Sequence, residues 1–189
     1  MNEYRKYGPL QFLIGSWNNG SSFSGENTAP APDRSTEHTK FRQETHFTPI
    51  KDVNNHEQTL HALQYRTTAW EEGSDEPFHE ENGYWLWDPN EEQVMKCFTI
   101  PRGMSVLAGG RAKDADYTFS LSAELGSQTY GICSNKFLDK EFKTVRYDLT
   151  ITKIDENTFS YDENTQIQIK GREKLFDHIE KNTMSRIIE

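Results

Sequence analysis

The stretch that most constrains the fold is Phe78–Gly110, FHEENGYWLWDPNEEQVMKCFTIPRGMSVLAGG. Its first run closes on Tyr84, Trp85, Leu86 and Trp87, side chains that suit a pleated, half-buried surface. Asp88-Pro89-Asn90-Glu91 then supplies turn chemistry, with proline presetting φ and polar neighbours able to bond the bend. A second run follows at Gln93–Ile100, a Pro101-Arg102-Gly103 turn, and a third run at Met104–Ala108. Runs joined by turns this tight must pair antiparallel, because a parallel pair needs a crossover of a dozen or more residues.

The rest of the chain repeats the theme. Tyr4–Leu13 carries Gly8-Pro9 at its centre, which limits it to a short helical turn plugging one end of the fold. Gly15-Ser16-Trp17 opens a first strand running to about Ser24, and the Gly-, Pro- and Ser/Thr-rich Gly25–His38 reads as a surface loop. Phe41, Gln43, Thr45 and Phe47 alternate with polar neighbours, and Thr59–Trp70 forms another strand. The cleanest period-2 patterns are Tyr117, Phe119, Leu121, Ala123 and Val145, Tyr147, Leu149, Ile151, each with one buried and one wet face. Phe159–Ile169 continues as a strand, and the pattern of Phe176–Ile188 suits a strand or a short helix.

About ten strands with no long helix predict an all-β fold: a single antiparallel up-and-down β-barrel spanning 1–189, with 1–8 as a tail and the helical turn closing one end. Closure removes the sheet edges that an open sheet would expose, and eight or more strands leave room for a small ligand.

Composition narrows the partners. The chain has 21 basic and 30 acidic residues and a net charge of −9, which argues against nucleic acid or an anionic membrane surface. No apolar run approaches the roughly 20 residues of a membrane span, and the N-terminus lacks the apolar stretch of a signal peptide. Cys97 and Cys133 form no CxxC motif or disulfide framework. These features point to a cytoplasmic protein with free thiols and a small-molecule ligand.

Several segments together resemble the nitrobindin family of haem-binding β-barrels, structurally akin to fatty-acid-binding proteins and lipocalins. They are Pro9–Trp17 (PLQFLIGSW), Tyr65–Trp70, Pro77–Tyr84 (PFHEENGY), the Pro101-Arg102-Gly103 turn, and a C-terminal histidine, His178. In order and spacing the similarity covers about Pro9 to Arg186. The family's first-strand motif G-x-W-x-G-x-G is matched at Gly15 and Trp17, but Asn19 and Ser21 replace the later glycines. The terminal motif, His178 to Arg186, is one residue longer than the family's, so a β-bulge or shifted register is expected there. Such a slip decides whether His178 points inward.

The resemblance implies a ferric haem b, with His178 as axial ligand and Phe78 and His79 beside the porphyrin. A ferric haem needs one protein donor with the other face open, and neutral imidazole supplies it. From the residues alone, both histidines read more readily as solvated groups than as ligands, and it is the resemblance that brings them to the haem. His38, His46, His56 and His61 lack ligand spacing, and no HxH, HExxH or Cys/His cluster favours zinc. Trp17 reads as a closed-end core residue, whereas Trp85 and Trp87 suit either core or cage. The adjacent pairs Glu71-Glu72, Glu80-Glu81 and Glu91-Glu92 fall in or beside turns and read as solvated rather than as catalytic carboxylates.

By resemblance the function is nitric oxide binding and isomerisation of peroxynitrite to nitrate on ferric iron, in a homodimer. The first alternative is a haem-free carrier of a fatty acid or other apolar molecule, with Arg66, Arg102, Arg111 or Arg146 holding the head group. The second is a side-chain-filled barrel acting as an interaction module.

Overall fold

A computed structural model of the chain describes residues 3–20 and 23–188. It opens with a 3-10 helical run, Glu3–Leu13, kinked at Gly8 (φ 53°, ψ −130°) ahead of Pro9. Gly8 is required twice over: its φ lies in the left-handed region, and a Cβ there would run into the Trp87 indole. Tyr7, Leu10 and Leu13 from this run are buried, so the segment plugs one end of the fold, as its apolar content predicts.

Thirteen strands form one sheet: β1 (Gly15–Asn18), β2 (Gly25–Pro30), β3 (Thr36–Pro49), β4 (Val53–Asn54), β5 (Thr59–Glu71), β6 (His79–Asp88), β7 (Gln93–Ile100), β8 (Met104–Arg111), β9 (Thr118–Leu125), β10 (Gly131–Ser134), β11 (Phe142–Asp155), β12 (Thr158–Ile169) and β13 (Phe176–Arg186). One short helix, α1 (Lys136–Glu141), precedes β11 and is capped by the Asn135 side chain. The sheet closes because both β1 and β2 bridge β3 to β13. Trp17 pairs with Thr45 on one side and Arg186 on the other, and Thr28 pairs with His38 and Ile179. The result is a closed barrel.

The central meander forms β6–β7–β8, with Asp88 holding the first turn. Its carboxylate, only 1% exposed, accepts from the Asn90 and Glu91 amides and the Gln58 side chain. Gly83 marks a close strand crossing, where any Cβ would collide with the Cys97 carbonyl.

Several expectations need correction. Gly25–His38 is not all loop: β2 and the start of β3 lie within it, and only the bend around Ala31–Ser35 is free of the ladder. Its strand character comes from partners distant in sequence, β13 above all, which outweigh weak local propensity. The first strand ends at Asn18 rather than Ser24, and Ser21 lies outside the described residues. The pairing is not wholly antiparallel, since β10 runs parallel to β9 at Gly131↔Glu124 and Ile132↔Leu125. Val145 does not continue the inward row of β11, because the register shifts between Thr144 and Arg146.

The C-terminal segment is a strand, and its register is regular from Phe176↔Ile167 to Ser185↔Thr158. No bulge occurs near Asn182. Phe176, His178, Glu180, Asn182 and Met184 therefore share the inward face.

The closed end is built on Trp17, which is fully buried. Its indole N–H donates to the Leu13 carbonyl at 2.6 Å, and its ring meets Phe159 edge-on at 4.8 Å. The Arg186 guanidinium lies 4.2 Å from the same ring's centre while donating to the Phe12 and Ile14 carbonyls. One arginine thus ties the last strand to the helical plug. Towards the other end, Ile167, Ile169 and Phe176 make a separate small apolar cluster with Phe142.

Candidate functional site

Between the plug and the mouth, the inward faces of seven strands enclose a cavity of about 60 Å³. Strand alternation alone fixes which side chains enter it. On β6 the inward row is His79, Glu81, Gly83, Trp85 and Trp87; on β12 it is Tyr161, Glu163, Thr165 and Ile167. Lys96 enters from β7 between Val94 and Phe98, and Glu180 enters from β13 between His178 and Asn182.

This middle layer is ionic. Lys96 is only 5% exposed, and its ammonium donates to the Tyr147 hydroxyl at 2.9 Å. It also lies 2.9 Å from Glu81 and 3.8 Å from Glu163. The Tyr65 hydroxyl donates to Glu81, and the Tyr147 hydroxyl donates to Glu163 at 2.7 Å. Aromatic faces surround the ammonium, with Phe98 nearest at 4.2 Å from nitrogen to ring centre, and Tyr65, Tyr147 and Trp85 within 6 Å. A buried charge needs such partners, because transfer of an unpaired ion into a protein interior costs several kcal/mol.

The protonation states follow from this crowding. Burial pushes the Glu163 carboxyl up to about 7, aided by the like charges of Glu180 and Glu81 and opposed by Lys96 and the Tyr147 hydrogen bond. Glu180 is held below the usual carboxylate range, because the nearby His178 and His79 together outweigh its burial. Burial disfavours the His178 cation, but the hydrogen bond and charge of Glu180 outweigh it and raise the imidazole. Burial, followed by the neighbouring carboxylates, lifts the Tyr65, Tyr147 and Tyr161 phenols well above 10, so they remain donors.

The three residues singled out in the sequence lie near the mouth. Phe78 is 40% exposed and meets Phe41 edge-on at 6.0 Å. His79 begins β6 opposite Ala69 and lines the cavity. His178 faces inward, with Nε2 2.9 Å from Asn27 Oδ1 and 3.6 Å from Glu180. Because Asn27 donates its own amide to Thr39, its oxygen is the acceptor and His178 Nε2–H the donor. Among the described residues, no three His, Cys, Asp or Glu side chains group as a metal site.

The polar core itself was missed. Glu81 is not solvated like its neighbour Glu80: it is 6% exposed, while Glu80 faces outward and pairs with Arg66. None of the four arginines considered for a head group enters the barrel. Arg66 and Arg111 are exposed, Arg102 lies in an exposed turn, and Arg146 pairs outside with Glu124 and Asp148. The interior cation is Lys96. Its signal in the sequence was parity, since Lys96 sits two residues from both Val94 and Phe98.

With this geometry in view, comparison with known proteins is decisive for the family. Residues 6–186 match the family model described as THAP4-like, heme-binding beta-barrel domain. The chain belongs to this family. No curated protein matches it. Among solved structures, the barrel is similar to that of Rv2717c from M. tuberculosis, with a TM-score of 0.61 and 20% identity over 95% of this chain and 98% of that one. At that identity the likeness is one of fold.

The central cavity as it stands is too small for a porphyrin. Cofactor pockets typically run to about 300–1,000 Å³ with mainly apolar walls, against about 60 Å³ here. Three carboxylates, Glu81, Glu163 and Glu180, face that space. The axial candidate's Nε2–H is committed to Asn27.

Proposed function

We propose that this barrel binds a small polar molecule in its central cavity. The observation that supports this best is the ionic layer itself. Carboxylates, an ammonium and tyrosine hydroxyls share the wall with Phe47, Trp85, Leu149, Ile151 and Phe159, where an apolar-ligand carrier would need hydrocarbon throughout. One donor is also left over: the Trp85 indole N–H is buried, has no partner among the described residues, and belongs to a ring lining the cavity. Buried polar groups are nearly always satisfied, so the free donor marks a place for an acceptor atom from a ligand or water. A fatty-acid carrier is disfavoured by both cavity size and wall chemistry.

Trp85 supplies the test. Ethylene glycol or another small polar solute should alter tryptophan fluorescence saturably, and Trp85→Phe should remove that response. Octanoate should leave the fluorescence unchanged. A saturable response to octanoate with none to small polar solutes would refute the proposal in favour of an apolar carrier.

The haem reading retains one specific observation beyond family membership, the regular β13 register that turns His178 inward. On that reading His178, with Phe78 and His79 beside it, would hold the haem, which would supply the chemistry towards nitric oxide or peroxynitrite. It requires His178 to release Asn27 and the Phe41–Phe78 rim to open.

A further inference from the structure

The charge inside the barrel identifies a class of ligand. Glu163 and Glu180 are directly opposed on adjacent antiparallel strands, with both side chains in the cavity. Like charges placed this way are destabilising, and nothing in the closed-end packing requires them. Across the cavity, Glu81 adds a third carboxylate, already paired with Lys96 at 2.9 Å. Lys96 lies farther from Glu163, at 3.8 Å. Its approach shows that this interior accommodates an ammonium between aromatic faces and carboxylates.

We infer that the cavity takes up a small hydroxylated amine as its ammonium ion, seated on the Glu163–Glu180 pair with its hydroxyl oxygen accepting from Trp85. This rests on the proposal that the cavity holds a polar ligand. The ammonium enters intact, its N–H groups donate to the carboxylates, and the proton lost from the Glu163 carboxyl passes to water. No covalent bond to the ligand changes.

The proton balance depends on every group facing Glu163. Tyr147 donates to it from β11, Lys96 approaches from β7, and Glu81 and Tyr65 lie across the cavity on β6 and β5. Glu180 and His178 face it from β13, and Tyr161 shares its own strand. His79 acts on it through Glu180. Lys96 is the one permanent cation in this set. The histidines near the mouth, His178 and His79, accompany Glu180. Glu163 is therefore the carboxyl that holds a proton near neutrality and gives it up when a second cation arrives.

The test uses three compounds of nearly one size and different charge: ethanolamine, ethylene glycol and glycolate. Each is titrated calorimetrically into the full chain at about pH 6 and about pH 8, with proton release followed by an indicator dye in unbuffered salt. Ethanolamine should bind most tightly, with affinity rising about tenfold between those pH values, and should release protons. Glu163→Gln should flatten that pH dependence and abolish the release. Equal binding of all three compounds would overturn the cation inference while leaving the polar cavity intact. Tightest binding of glycolate would also overturn it, assigning the recognition to Lys96. Binding of none of the three would overturn the inference together with the polar-ligand proposal. The wild-type charge and pH series decides between these outcomes even if a variant fails to fold.

Discussion

Replacing Lys96 with Met removes the one permanent cation among the described residues that line the central cavity while keeping most of its volume. The stem is already packed, so the cavity penalty is small, as for other volume-conserving swaps. The loss is electrostatic. Glu81 would lose a partner at 2.9 Å, Glu163 one at 3.8 Å, and the Tyr147 hydroxyl a donor at 2.9 Å. Removing one member of a buried pair typically costs about 3–5 kcal/mol, because the other charge is left uncompensated. That is a large share of a domain's net stability of roughly 5–15 kcal/mol. Urea unfolding followed by circular dichroism should show a loss in this range at about pH 7.5, shrinking at about pH 5, where an orphaned carboxylate can escape its penalty by protonation. Adding Glu81→Gln should recover part of it, with a coupling energy of about 1–3 kcal/mol. A loss under about 1 kcal/mol with no coupling to Glu81 would refute the buried ionic layer, since surface pairs behave that way.

Glu163→Gln tests the raised carboxyl. Its folded pKa, pushed up to about 7, lies above the unfolded value, so its ionisation weighs on the fold increasingly as pH rises towards 7 and is absent in acid. The variant should be more stable than wild type at about pH 8 and no more stable at about pH 4, by thermal melting. His178→Ala works in the opposite sense. The raised imidazole contributes stability that is complete below about pH 6.5 and lost as pH climbs through its folded value, so the variant's deficit should be larger at about pH 6 than at about pH 9. Trp17→Ala should cost about 3–5 kcal/mol in urea unfolding without changing ligand response, because Trp17 lies in the closed end.

The barrel was legible because several strands carry an unbroken apolar or aromatic run on one face. Phe119, Leu121 and Ala123, or Leu149 and Ile151, fix both strand and face. Of the two bridging strands, β1 was legible from Gly15-Ser16-Trp17 and β2 was not. Gly25–Pro30 carries glycine, proline and polar residues, and pairs only because β3 and β13 flank it. The inward direction of His178 depended on a register that residue count alone misjudged, since β12 sets it residue by residue. The ionic layer escaped for a different reason. Glu81, Lys96, Glu163 and Glu180 each occupy an inward parity position, but a charged residue in a strand is ordinarily evidence for the wet face. Their burial is tolerable only because several strands bring opposite charges and tyrosine hydroxyls together, a relation no single strand contains. The adjacent pair Glu80-Glu81 shows this most simply: one carboxylate reaches solvent and Arg66, while its neighbour enters the core.

On the reading proposed above, this member of a haem-binding barrel family has an interior committed to polar recognition. Titration of the full chain with hemin, read by the Soret band against free hemin and repeated on His178→Ala, tests it most directly. Weak uptake at most, with the same spectrum for both proteins, is the expected result. A sharp stoichiometric Soret band in wild type that shifts on loss of His178 would contradict it and establish the haem reading.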